Sequence, residues 1–79
     1  MTRAEAFEAL TEIFVTNFDD DTIVLTDDTT SADIEYWDSL EQINLIMACE
    51  RRFGVKFDAD EISKISNVGG MVDFIVAKA

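Results

Sequence analysis

Three groups of residues could carry chemistry: a serine flanked by acids in Asp38-Ser39-Leu40-Glu41, a run of acids between Asp19 and Asp28, and one cysteine, Cys49. The chain has no histidine, so Ser-His-Asp and Cys-His nucleophilic catalysis are unavailable from its own residues. Zinc sites, which need histidine or clustered cysteine, are excluded with them. Ser39 therefore has no base to deprotonate it, and no catalytic residue is expected. Its spacing suggests another use. Asp38 is a good N-cap, and Glu41 lies three residues on, so the two can satisfy each other's free amides reciprocally. That places Ser39 at the first position of a helix with its hydroxyl outward, where free N–H groups and the helix dipole favour a phosphate-type anion. Asp-Ser-Leu is equally an ordinary way to start a helix.

The other two groups carry less. Counted from Asp19, the sixth residue is Val24 and the twelfth Thr30, where a calcium-binding EF-hand loop needs glycine and glutamate. No metal site is expected, beyond weak nonspecific binding of divalent cations to the acids. Cys49 sits mid-helix beside Ala48 with nothing to lower its pKa, and reads as a small core residue.

The elements that must position Ser39 follow from apolar spacing. Residues 2–16 read as a helix with Phe7, Leu10 and Phe14 at helical period, Ala6 and Ile13 beside them, and Thr2 with Glu5 as a capping box. Residues 17–38 show no sustained period and are rich in Asp, Thr and Ser, which compete with helix for backbone bonds. They read as a long loop anchored by Phe18, Ile23, Val24, Leu25 and Ile34, with a short strand possible at Ile23–Leu25. Trp37 reads as a further loop anchor; in a hydrophobic staple it would meet Gln42, which is polar. Residues 39–53 form a second helix, with Ile43, Ile46, Met47 and Phe53 as its buried stripe, Arg51 and Arg52 in its last turn and Gly54 as C-cap. A short third helix capped by Asp58 or Asp60 ends near Ile65. A last helix over about 68–78, capped by Ser66 or Asn67, buries Val68, Met71, Val72 and Ile75. The expected fold is all-α: a small four-helix bundle, three main helices and one short one, with a long loop after the first.

At 79 residues the chain has the length of one domain. Seventeen acids against six bases give a net charge of −11, which argues against nucleic acid or anionic membrane as partners and for basic protein surfaces. An apolar content of 48% is too high for a disordered acidic tail. No apolar run approaches a membrane span, and the first residues lack the pattern of a signal peptide, so the expected setting is cytoplasmic.

Asp38-Ser39-Leu40 after a long loop, followed by an apolar-periodic helix in an acidic four-helix domain of this length, resembles the acyl carrier protein family. The resemblance covers nearly the whole chain and is densest from Trp37 to Ile75. It implies a freestanding carrier domain over residues 1–79, in which Ser39 bears a covalent 4′-phosphopantetheine arm whose thiol carries acyl groups as thioesters between enzymes of a biosynthetic pathway. It further implies a phosphopantetheinyl transferase and acyl-loading and acyl-transferring enzymes with basic docking surfaces as partners of a monomer. By matching position, the partner-binding residues are Asp38, Leu40, Glu41, Met47 and Glu50, with Asp58, Asp60 and Glu61 after them. Asn44, Arg51 and Arg52 depart from the family pattern, standing where fatty-acid-type carriers usually keep acids. An aminoacyl or peptidyl carrier, including a D-alanyl carrier, shares the arm and the serine. An unmodified acidic adaptor is the remaining alternative.

Overall fold

A computed structural model describes residues 1–79, which form four helices and no strand: α1 (Arg3–Phe18), α2 (Ser39–Phe53), α3 (Ala59–Lys64) and α4 (Val68–Lys78). Each starts on a side chain that takes up an otherwise free amide. Thr2 and Glu5 complete a reciprocal capping box on α1, as Asp58 and Glu61 do on α3. Asp38 caps α2 and Asn67 caps α4. The long helices thus begin where their side chains dictate.

α1 runs two residues past its expected end, because the added turn has work for both. Phe18 packs against the Phe14 ring at 5.9 Å, and Asn17 donates from Nδ2 to Glu41 Oε2 at 2.7 Å. Asp19 then stops the helix in the left-handed region (φ 51°). α2 ends on Gly54 at φ 67°, a conformation glycine adopts without strain.

The core is made by Ala6, Leu10 and Phe14 of α1, Leu45, Ile46 and Cys49 of α2, Val55 and Phe57 of the link, and Val68, Met71, Val72 and Ile75 of α4. The buried face of α2 differs from the expected stripe. Ile46 is buried and Phe53 half-buried, but Ile43 and Met47 face solvent at 56% and 48% exposure. Two apolar rows run along this helix. Leu45, Ile46 and Cys49, continued by Gln42 and Phe53, face α1 and α4; Leu40, Ile43 and Met47, spaced i, i+3, i+7, lie on the opposite side. Polar Gln42 hides the first row's beginning from a reading of apolar spacing alone.

The loop from Asp19 to Asp38 contains no strand at Ile23–Leu25. Phe18, Ile23, Leu25, Ile34 and Trp37 pack against the core as anchors, whereas Val24 does not: it is 80% exposed, pointing away between two inward neighbours. The loop is instead secured by polar bonds. Thr29 is buried, its hydroxyl accepts the Thr26 N–H at 2.9 Å, and its carbonyl accepts the Val68 N–H at 2.8 Å. The Asp27 carbonyl accepts the Gly69 N–H at 3.0 Å, so two free amides of α4's first turn are satisfied by the loop. Arg3 closes the same corner, bonding Asp27 at 2.6 Å and Asp73 at 3.1 Å.

Candidate functional site

The approach to Ser39 is pinned before the helix begins. Trp37 sets its ring edge-on to fully buried Phe14, centroids 5.1 Å apart, and its indole N–H donates to Gln42 Oε1 at 2.7 Å. The staple position is thus used after all, with a hydrogen bond in place of an apolar contact. Tyr36, just before it, takes φ 73°, an unusual conformation for a bulky residue, and leaves its ring exposed. The Asp38 N–H then donates to the Tyr36 carbonyl at 3.1 Å.

That bond changes the cap. Asp38 Oδ1 accepts the Glu41 N–H at 2.9 Å as expected, but Glu41 does not return to the Asp38 amide. Its carboxylate accepts from Asn17 at 2.7 Å and Asn44 at 3.0 Å instead. The expected reciprocal box is half formed, because the turn at Tyr36 has already taken the Asp38 N–H.

Ser39 is the first residue of α2, and its side chain is exposed. The amides of Ser39 and Leu40 have no partner within the chain, so the positive end of the helix is open beside the hydroxyl. Next to it lies a cleft of about 360 Å³ between the start of α2, α3 and the cap of α4, lined by Trp37, Ser39, Ile43, Ile62 and Ile65 among others. An anchored phosphodiester would therefore meet free N–H donors, and a chain attached to it would find an apolar wall alongside. The carboxylates nearest Ser39 are already engaged, Asp38 by the Glu41 N–H and Glu41 by Asn17 and Asn44, and the chain has no imidazole, so the arrangement is suited to holding a group.

The other residues expected at the site divide sharply. Asp38, Leu40 and Glu41 stand with Ser39 on the first turn, and Met47 lies further along the exposed face with Leu40. Ile43, read from sequence as core, belongs with them. Its spacing between Leu40 and Met47 was the signal available. Glu50 is turned inward and accepts the Phe57 N–H at 2.8 Å, bracing the link after α2. Asp58 caps α3, Asp60 pairs with Lys64 at 3.0 Å, and Glu61 pairs with Lys78 at 2.8 Å while closing the α3 capping box. The Lys78 bond, with the Asp58 amide behind it, holds the Glu61 carboxyl below its ordinary value. Arg52 pairs with Glu12 of α1 at 2.9 Å. Cys49 is fully buried, and desolvation, with nearby Glu50 adding to it, pushes its thiol up to about 12. No three acids or cysteines converge to hold a metal ion, and no helix is long and apolar enough to cross a membrane.

Residues 8–75 match the model of a family described as "Phosphopantetheine attachment site". The chain is 37% identical over 78 residues to the acyl carrier protein of Petrotoga mobilis, covering 99% of this chain and 92% of that one. It is 34% identical over 76 residues to the acyl carrier protein of Thermotoga maritima, covering 96% and 94%. Its fold is similar to the solution structure of a holo acyl carrier protein from Geobacter metallireducens, with a TM-score of 0.88 and 45% identity over 92% of this chain and 84% of that one.

Proposed function

Because the chain belongs to the acyl carrier protein family, we propose that Ser39 is where its 4′-phosphopantetheine is attached, through a phosphodiester on Oγ. The observation that carries this is the exposed hydroxyl on the first residue of α2, beside two uncommitted amides. The arm supplies a terminal thiol that holds an acyl group as a thioester. The residues of the chain do the rest. The Ser39 and Leu40 N–H groups and the dipole of α2 favour the phosphate charge, an interaction worth about 0.3–1 kcal/mol at an exposed helix start. Trp37, locked to Phe14 and Gln42, keeps the anchoring turn from swinging, so the arm leaves from one fixed point. Ile43, Ile62 and Ile65 offer apolar surface beside that point.

In this reading residues 1–79 act as one cytoplasmic carrier domain that performs no bond chemistry itself. Tethering raises the effective concentration of the cargo at each enzyme that docks. The partners are a phosphopantetheinyl transferase and the enzymes that load and unload the thiol, drawn by the field of a −11 chain to basic faces. The test is intact mass after reaction with a phosphopantetheinyl transferase and coenzyme A. The wild type is expected to gain one arm and Ser39→Ala none, with its melting unchanged. An S39A chain that still gains the arm refutes the assignment.

A further inference from the structure

The few positive charges of the chain are spent unequally. Of six bases, Arg3, Arg52, Lys64 and Lys78 each pair with an acid of the chain. Arg51 and Lys56 pair with none, although seventeen acids are present, and both are exposed. They stand together, lining one recess with Met47 and Glu50 at the far end of α2. Glu50 makes no salt bridge to either, its carboxylate accepting the neutral Phe57 N–H, but it keeps its charge, so two cations and one acid leave the recess net positive.

At 100° per residue, Leu40, Ile43, Asn44, Met47 and Arg51 fall within about a third of the helix circumference, opposite the row that faces the core. Leu40, Ile43 and Met47 are 66%, 56% and 48% exposed. The outward face of α2 therefore reads in order: the acid Asp38 beside Ser39, an apolar row, then Arg51, with Lys56 of the following link beside it. The distance from Ser39 to Arg51 is twelve residues of helix, about 18 Å. A protein whose reacting atoms reach the Ser39 hydroxyl and whose footprint is of ordinary size, about 800 Å² on each side, covers the whole row.

We infer that the phosphopantetheinyl transferase acting on this chain has a two-signed docking face: apolar across Leu40, Ile43 and Met47, basic against Asp38, and bearing a carboxylate against Arg51 and Lys56. This rests on the proposed modification of Ser39. A uniformly basic partner would be repelled at the far end of the helix, and the charge order of α2 would then work against its own docking. With a carboxylate there, the two ends fix the direction in which the partner lies along the helix.

The test turns on the sign of an effect. Apo wild type, Arg51→Glu and Lys56→Glu are incubated with the cognate transferase and coenzyme A, and kcat/KM is read from the rate of mass gain. Neither side chain bonds anything within the chain, so both variants fold, which circular dichroism checks. The expected result is a fall of roughly three- to ten-fold for R51E and a smaller fall for K56E, both shrinking toward the wild-type rate as about 0.5 M salt screens the charges. If the transferase face is basic throughout, the added acid attracts it and R51E reacts as fast as wild type or faster; that outcome overturns the inference. A loss for R51E that salt does not diminish also overturns it, since shape and not charge would then be responsible. A wild type that gains no mass refutes the Ser39 assignment and takes this inference with it, and is distinguishable from either result.

Discussion

Replacing Gly69 by alanine should destabilise the fold, against the ordinary rule for helices. Gly69 lies in the first turn of α4, and its φ is not positive, so the backbone does not need glycine there. On propensity alone, alanine in a helix gains up to about 1 kcal/mol over glycine. A Cβ built on Gly69 would meet Asp27 Oδ1 at 2.7 Å, its carbonyl oxygen at 2.9 Å and its Cα at 3.1 Å. Two of these are backbone atoms, which cannot step aside as a flexible side chain could. Asp27 has to move, and it carries the carbonyl that takes the Gly69 N–H and the carboxylate that holds Arg3. Overpacking of this kind costs about 1–3 kcal/mol, so the helix gain is outweighed. For a domain of this size each kcal/mol corresponds to roughly 4–8 °C in Tm. The assay is thermal unfolding followed at 222 nm, with Gly70→Ala as the internal control. A Cβ on Gly70 meets only Asn67 Oδ1, at 3.3 Å, so G70A should be neutral or stabilising. The expected order of Tm is G70A at or above wild type and wild type above G69A. A G69A protein that melts above wild type would show that the loop yields freely and that the close approach of Asp27 does not constrain the corner.

Two further outcomes follow from titratable groups. Arg3 holds the Asp27 carboxyl below its ordinary value, Lys78 does the same to Glu61, the Thr2 amide to Glu5 and the Thr22 hydroxyl to Asp20. Each is lowered in the folded state, so its contribution is complete above the ordinary carboxylate range and is lost as pH falls through the lowered values. Tm measured against pH should fall below about pH 4, and Asp27→Asn with Glu61→Gln should flatten that limb; a Tm that keeps rising on acidification refutes it. Cys49, buried and with its thiol pushed up to about 12, should resist a thiol reagent in apo protein and react only as fast as the chain unfolds; labelling at the rate of a free thiol under native conditions would contradict its burial.

The helix starts were legible because they are local. Thr2, Asp38, Asp58 and Asn67 each act on an amide three residues away; the first two stood alone in the sequence, whereas Asp60 and Ser66 competed with the other two until the structure decided. Ser39's place at the head of α2 followed from the same chemistry. The inward face of α2 was not legible, since two apolar rows are equally well spaced along it and only contact with α1 and α4 decides between them. The loop's fastening was hidden for a related reason. Arg3, Asp27 and Asp73 lie far apart in the chain, and nothing in the run Asp27-Asp28-Thr29 says which residue is buried. The acids following Ser39 were visible as charge, but Asp60 and Glu61 turn out to pair with Lys64 and Lys78, while Glu50 bonds a neutral amide and keeps its charge.

The placement of the single sulfur bears on how long a cargo survives. Thioesters exchange readily onto a neighbouring thiolate, so a scaffold with an accessible cysteine would slowly take the acyl group for itself. Here the scaffold's own sulfur is walled off and kept protonated, and no imidazole exists to relay the transfer. Self-acylation through sulfur or imidazole is thereby closed, and that part of a loaded intermediate's lifetime passes to water and to the enzymes that come to collect it.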